Sequence, residues 1–285
     1  FGCLIIVYII SFYKLINLKG KLKIKDIVME ILLIILIILF RNNGFHIVLL
    51  SLLFLLFLGR QNIFKYIIII CITITFYYSY NNVILPHFKI TNGSIREVLS
   101  VPFQQTARYV KEYKKEVTSD EKKAIDKLLN YDTIASRYNP ALADPVKNEF
   151  NRYYTDNDLK NYFKVWFTQL KKHPLVYVEA TIANTYGYIY PVETNWYVHI
   201  KGKKIINNYG FDYHFNKKLR PLRMVLGGFA IAFPYIPFIG LLINIGFNTW
   251  ILLFMLSYLF YRKKYKDIIL LIPSFLILLV CFVSP

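Results

Sequence analysis

The sequence predicts a mainly α fold: a polytopic transmembrane helical protein carrying an inserted, mostly helical extracytoplasmic domain. Three observations predict it. Hydrophobic residues make up 56% of the 285 and charged residues only 18%, an unusual balance for a water-soluble domain. The apolar and charged residues are also segregated into blocks rather than mixed at helical or strand period, the mark of membrane helices. Finally, 35 Lys and Arg against 17 Asp and Glu give a net charge of +18, and much of that surplus flanks the apolar blocks, as in chains oriented across a membrane. The resulting division is residues 1–81, transmembrane helices; 82–222, an extracytoplasmic soluble domain; and 223–285, an interfacial helix followed by transmembrane helices.

The apolar blocks can be taken in order. Phe1 to Ile16 is interrupted only by Lys14 and falls short of the roughly 20 residues of a full span, so it reads as the end of a helix. It has neither the basic start nor the small-residue cleavage site of a signal peptide. Ile27 to Phe40 and Phe45 to Leu58 are almost purely Leu, Ile, Phe and Val, and read as two helices joined by the polar turn Arg41-Asn42-Asn43-Gly44, with Gly44 as the helix stop. Phe64 to Tyr80 is a further span. Apolar character returns at Arg223, is broken by Pro234 and Pro237, and resumes in Phe238 to Tyr261 and Ile268 to Val283.

Short cytoplasmic loops collect Lys and Arg. Lys14, Lys19, Lys21, Lys23 and Lys25 therefore place the first loop inside, the Arg41 turn outside, Arg60 and Lys65 inside, and 82–222 outside. Arg262, Lys263, Lys264 and Lys266 belong inside again, which calls for one crossing between Leu222 and Arg262. Arg223 to Ala232 is then an interfacial or re-entrant helix and Phe238 to Tyr261 the crossing. Two crossings there, with four cations outside, is the alternative. The middle segment holds 22 Lys and Arg and 14 Asp and Glu, a surplus of +8, and the other +10 lies on the flanks. Much of the basicity is thus topological, and with no recognition motif beside it nucleic acid is not an expected partner. Cys3, Cys71 and Cys281 all fall in apolar blocks and read as small core residues rather than a disulfide or metal framework.

Within the middle segment, Ser94 to Tyr113 has a helical apolar stripe (Ile95, Val98, Leu99, Phe103, Ala107, Val110), with Pro102 as a kink or break. Thr118 and Glu121 form a capping box before another helix. Tyr138-Asn139-Pro140 and Ala143-Asp144-Pro145 mark a loop. Thr155 or Asp156 caps a helix with the aromatic face Tyr162, Phe163, Trp166 and Phe167, and His173-Pro174 opens one running to about Tyr186. Trp196 to Phe215 alternates more like strands.

There is no Gly-rich phosphate loop, Cys/His cluster or Gly-x-Ser-x-Gly elbow, and no cofactor or metal is expected. The candidates are polar groups in unusual places. Arg41, with Asn42 and Asn43, is either a solvated turn or a site for an anionic head group such as a lipid phosphate. Gln104 and Arg108 share a helix face, and with Gln105 they make either an exposed stripe or a site for a phosphate or sugar hydroxyl. His173 reads as a helix-boundary residue. Tyr186, Tyr188 and Tyr190 pack in a core or stack on a sugar ring. Glu179, Asp144 and Asp132 are the carboxylates open to a general-base role.

The turn Phe40-Arg41-Asn42-Asn43-Gly44, the strings Ser94-Ile95-Arg96-Glu97 and Val101-Pro102-Phe103-Gln104-Gln105-Thr106-Ala107-Arg108, then Tyr138-Asn139-Pro140, Ala143-Asp144-Pro145-Val146-Lys147 and His173-Pro174 resemble an uncharacterised family of bacterial multi-pass membrane proteins. The resemblance extends over most of the chain from Ile27 to Pro285. Such proteins are similar to membrane-embedded glycosyltransferases that use lipid-phosphate-linked sugars, in which an acidic residue of an early outer loop is the usual base. The resemblance implies a bacterial cell-membrane location, the lipid bilayer and a lipid-linked sugar donor as partners, and a role in surface polysaccharide or glycoconjugate assembly. The chain starts at Phe1 without Met and stops at Pro285 just after an apolar run, so it reads as a piece of a longer polypeptide with the base expected upstream. A non-enzymatic transporter or assembly partner is the alternative. It calls for charged residues inside spans, for which only Glu30 is a candidate, and its place close to the cytoplasmic end of its helix argues against transport.

Overall fold

In a computed structural model the chain is described over residues 1–18, 20–58, 60–90, 93–191 and 216–283, and among these it is mainly helical with no β-strand. The segment from Trp196 to Phe215 lies outside the described residues. Two units can be distinguished, residues Phe1–Thr185 with Leu256–Pro285, and residues Tyr186–Met255.

The first unit begins with four apolar helices: α1 (Gly2–Ile16), α2 (Ile24–Phe40), α3 (Gly44–Leu58) and α4 (Ile63–Ser79). Tyr8, Phe12, Ile34, Ile37, Ile47, Val48, Leu52 and Ile69 form their core. Their outer faces are just as apolar, with Phe57 and Phe64 about four-fifths exposed. The connections at one end are tied together. Asn62 Oδ1 accepts from the Leu22 amide at 2.9 Å, Asn62 Nδ2 donates to Gly20 O at 2.9 Å, and Lys65 Nζ donates to Leu22 O. These bonds hold the Lys-rich α1–α2 loop against the start of α4.

Several sequence expectations shift at the helix ends. Helix α4 runs past residue 81, continuing through a π-helical turn at Tyr80–Ile84 and a last turn at Leu85–His87. Asn81 and Asn82 are short polar residues that do not oblige a helix to stop, and Asn81 Nδ2 donates to Tyr77 O four residues back. Gly44 does not stop α2. It is the first residue of α3, where a Cβ would lie 2.7 Å from Ile37 Cγ2 and 2.9 Å from Ile37 O, so glycine is there to let two helices approach. Cys3 and Cys71 are exposed rather than in the core, and Cys281 is half-buried.

The polar part of this unit is built around α5 (Ser100–Glu112), followed by α6 (Ser119–Asp126), α7 (Tyr131–Arg137), the single turn α8 (Asp144–Lys147), α9 (Asp156–Lys172) and α10 (Pro174–Thr185). Pro102 neither kinks nor breaks α5. It occupies the first turn, where the missing N–H has no helical acceptor to lose. Thr118 with Glu121, and Thr155 with Asp158, form capping boxes that start α6 and α9. One face of α5 buries Leu99, Phe103, Ala107 and Val110 against Leu128, Ile134, Val146 and Tyr162. Another carries Tyr109 against Val176 and Tyr177 of α10. This helix is therefore covered on more than one side. The unit closes with α13 (Ile272–Val283), reached through turns from Tyr265, whose Leu276 and Ile277 pack on the apolar core.

In the second unit α11 (Arg220–Ala232) buries none of its residues. Phe238 has a positive φ of 62°, and at Gly240 a Cβ would collide with Pro234 O. The chain turns there, and the next helix, α12, starts only at Ile245 and ends at Tyr261. The expected helix from Phe238 is thus shorter by about two turns, because the turn that follows Pro237 uses Phe238–Asn244. Asn244 fixes the new start by accepting from the Phe247 amide at 2.7 Å and donating to Pro191 O at 2.8 Å.

Candidate functional site

Helix α5 carries Gln104, Gln105 and Arg108, and the loop from Tyr138 to Lys147 lies antiparallel along it. Gln104 Nε2 donates to Asn139 O at 3.1 Å and Leu142 O at 2.9 Å. At the N-terminal end, Lys147 Nζ reaches Glu97 Oε2 at 2.8 Å and Asp144 Oδ1 at 2.9 Å, while Arg96 pairs with Glu97 at 3.0 Å. At the other end Arg108 pairs with Glu112 at 2.8 Å and with Glu179, and lies beside the Tyr138 hydroxyl. The strings that carry the family resemblance, from Ser94 to Arg108 and from Tyr138 to Lys147, thus converge on one seam.

Its electrostatics follow from burial. The Lys147 side chain is 7% exposed whereas Asp144 is 64% exposed. Burial works to lower the Lys147 pKa, but its bonds to Asp144 and Glu97 outweigh that, so it is raised and the ammonium persists. The bond from Lys147 holds Glu97 below the usual carboxylate range against a smaller effect of burial. A buried cation therefore fixes two carboxylates that still face water. Asp144 is the more accessible of the two, and can accept a hydrogen bond from a ligand hydroxyl. Burial pushes Tyr138 up, against the lowering effect of Arg108.

The structure places the expected residues in three different roles. Gln104 is buried and spends its Nε2 on the loop, while its Oε1 has no hydrogen-bond partner among the described residues. Gln105 is also buried. Its Nε2 donates to Thr181 Oγ1 at 2.9 Å and to Tyr177 O at 3.4 Å, and its Oε1 accepts from Trp166 Nε1 at 3.0 Å, so it braces α5 against α9 and α10. Arg108 is held between two carboxylates. Arg41 and Asn42, by contrast, are exposed in the α2–α3 turn, with Asn43 half-buried. The Arg41 guanidinium lies 5.6 Å over the Phe1 ring. Among the described residues no hydrogen bond or ion pair joins this turn to the α5 seam.

His173 ends α9, stacks on Tyr113 at 3.7 Å and pairs with Glu116 at 2.8 Å, a helix-boundary role. Of the three carboxylates considered as bases, Glu179 is paired with Arg108 and Asp132 with Lys122 at 3.0 Å. Asp144 belongs to the seam. Tyr186 and Tyr190 are partly exposed, their rings 6.3 Å apart. Sequence reasoning missed Glu97 and Lys147 as site residues. The signal was present, since Arg96-Glu97 and Asp144-Pro145-Val146-Lys147 each set opposite charges at local spacing, but their long-range pairing was not readable. Two hollows lie away from the seam. One of about 410 Å³ between α6 and α9 is lined by Lys123, Lys127, Asn161 and Lys164, and one of about 190 Å³ in the second unit by Pro191, Pro234, Pro237 and Asn244. Among the described residues no group of three or more His, Cys, Asp or Glu could hold a metal ion.

As a class, this is a mainly helical protein in which, among the described residues, two helices, Ile63–His87 and Tyr265–Val283, are long and apolar enough to cross a membrane. More narrowly, the chain belongs to the Family of unknown function (DUF6020), whose profile matches residues 1–285. No curated protein and no solved structure matches it.

Proposed function

We propose that the protein is a multi-pass bacterial membrane protein that transfers a sugar from a polyprenyl-phosphate donor on the outer face of the membrane, in surface polysaccharide or glycoconjugate assembly. α1–α4, α12 and α13 are its membrane helices, the Lys-rich loops are inside and the α5–α10 domain is outside. The observation that carries the membrane reading is the apolar outer surface of α1–α4, which water would not tolerate and lipid would. For the chemistry, support comes from the α5 seam, where Asp144 is water-facing and held by Lys147. The acceptor hydroxyl oxygen attacks the anomeric carbon and its proton passes to an outer carboxylate, Asp144 being the candidate. The bond from that carbon to the phosphate oxygen breaks, and the electron pair leaves with the lipid phosphate, whose charge the exposed Arg41 neutralises.

The test has two stages. A cysteine replacing the exposed Tyr153 in an otherwise cysteine-free chain should react with an impermeant maleimide from outside intact cells, whereas one at Lys21 should not. In the full-length protein, Asp144→Asn and Arg41→Ala should then each deplete the surface glycan without lowering protein level. Unchanged glycan in both variants would overturn the transferase reading, and labelling at Lys21 alone would overturn the sidedness.

A further inference from the structure

Among the described residues Glu30 is the one carboxylate in the core of the apolar bundle, and its surroundings do not explain it. The residue is 2% exposed in the middle part of α2. Ser11 Oγ of α1 bonds its Oε2 at 2.5 Å, and its Oε1 is buried with no hydrogen-bond partner among the described residues. The other buried hydroxyls of the bundle are committed elsewhere. Tyr8 donates to Val48 O, Ser51 to Ile47 O, Tyr66 to Leu15 O and Thr73 to Ile69 O.

Among the described residues no protein cation compensates the carboxylate. Lys14 on α1, Lys25 and Asp26 on α2, and His46 on α3 are exposed. Lys65 on α4 spends its ammonium on Leu22 O. Of the other titratable groups on the helices packed with α2, Cys3, Tyr13, Cys71 and Tyr78 are exposed, Tyr77 stacks on Phe45, and the buried Tyr8 and Tyr66 donate to backbone oxygens rather than to Glu30. An ionised carboxylate in such a core costs several kcal/mol or more without a counter-charge, so a positive charge has to accompany it. The available ligands are all oxygens, which suits a hard cation, and there is one carboxylate rather than the several a calcium site collects. That leaves a singly charged occupant.

We propose that Glu30, with Ser11 beside it, is a binding site for a small monovalent cation, a proton or a sodium ion, inside the apolar bundle. The site lies between α1 and α2, and nothing in it depends on transfer chemistry at the α5 seam. It does not rest on the glycosyltransferase reading, and its test does not measure glycan.

The purified full chain in detergent micelles is treated with dicyclohexylcarbodiimide, which modifies protonated carboxyls from an apolar phase, and the Glu30 peptide is read by mass spectrometry. For a proton, modification of Glu30 falls roughly tenfold per pH unit on the alkaline side of its titration and is indifferent to sodium. For a sodium ion, sodium chloride slows modification several-fold at fixed pH while choline chloride does not. A second readout needs no reagent access: the thermal midpoint of the wild type moves with pH or sodium by several degrees more than that of Glu30→Gln. The proposal is overturned if the wild type and the Glu30→Gln variant respond identically to pH and sodium, or if Glu30 is modified at a rate that neither changes.

Discussion

Replacing Gln105 by Leu separates a brace from a ligand. In the structure Gln105 is 8% exposed and joins three elements: its Oε1 accepts the Trp166 indole N–H at 3.0 Å and its Nε2 donates to Thr181 Oγ1 and Tyr177 O. Leucine has nearly the same volume, so the cavity term is small. What is lost is polar. Thr181 keeps its own bond to Tyr177 O at 2.8 Å, but the half-buried Trp166 N–H loses its acceptor, a penalty of about 1–3 kcal/mol. Some of that is returned because the buried amide no longer has to be desolvated, which leaves a net cost of about 1–2 kcal/mol. For a domain of this size that is a fall in thermal midpoint of roughly 4–8 °C.

The assay is a melt of the full chain in detergent, followed in the near-ultraviolet circular dichroism of the Trp166 cluster. Gln105→Glu makes an internal comparison. It keeps an acceptor for Trp166 but buries a charge and gives up both donors, so it should melt lower still. The reasoning is refuted if Gln105→Leu melts within a degree or two of wild type while surface glycan is lost, because Gln105 would then be contacting a substrate and not holding the domain together.

Gly44→Ala should destabilise the apolar bundle by about 1–3 kcal/mol, since the new methyl would meet Ile37 Cγ2 and Ile37 O. In an Ile37→Ala background the same change should still lower the melt, because the backbone oxygen stays; no further loss there would show that only the side chain is in the way. Alkali should unfold the α5–α10 domain. Burial, then Glu121 and Glu116, pushes Tyr109 up to about 12, and burial also raises Tyr131, Tyr138, Tyr162 and Tyr177. Folded pKa values above the unfolded value of about 10 mean stability that is intact below that pH and lost as pH rises through about 12. Tyrosinate absorbance and helicity should therefore change together, and tyrosinate appearing well before helicity falls would contradict it.

What the sequence showed and what it hid divide along a physical line. Local signals were legible. Thr118 and Glu121, or Thr155 as a cap, satisfy amides within one turn of themselves, and blocks of Leu and Ile announce apolar helices without reference to any partner. Pairings across the chain were not. Gln104 and Arg108 share a helix face as their spacing requires, yet one is sealed under the Tyr138–Lys147 loop and the other is clamped by Glu112 and Glu179, and periodicity contains no term for what covers a face. Gly44 shows the same limit from the backbone side. A glycine between two helices suits a helix end, but the Ile37 atoms that make it necessary belong to the preceding helix, and only their position distinguishes close approach from termination. Glu30 was visible as a charge within an apolar block. That its Oε1 lacks a partner among the described residues could be known only once every hydroxyl around it had been assigned, which makes the unassigned oxygen, rather than the charge itself, the ground for placing a cation there.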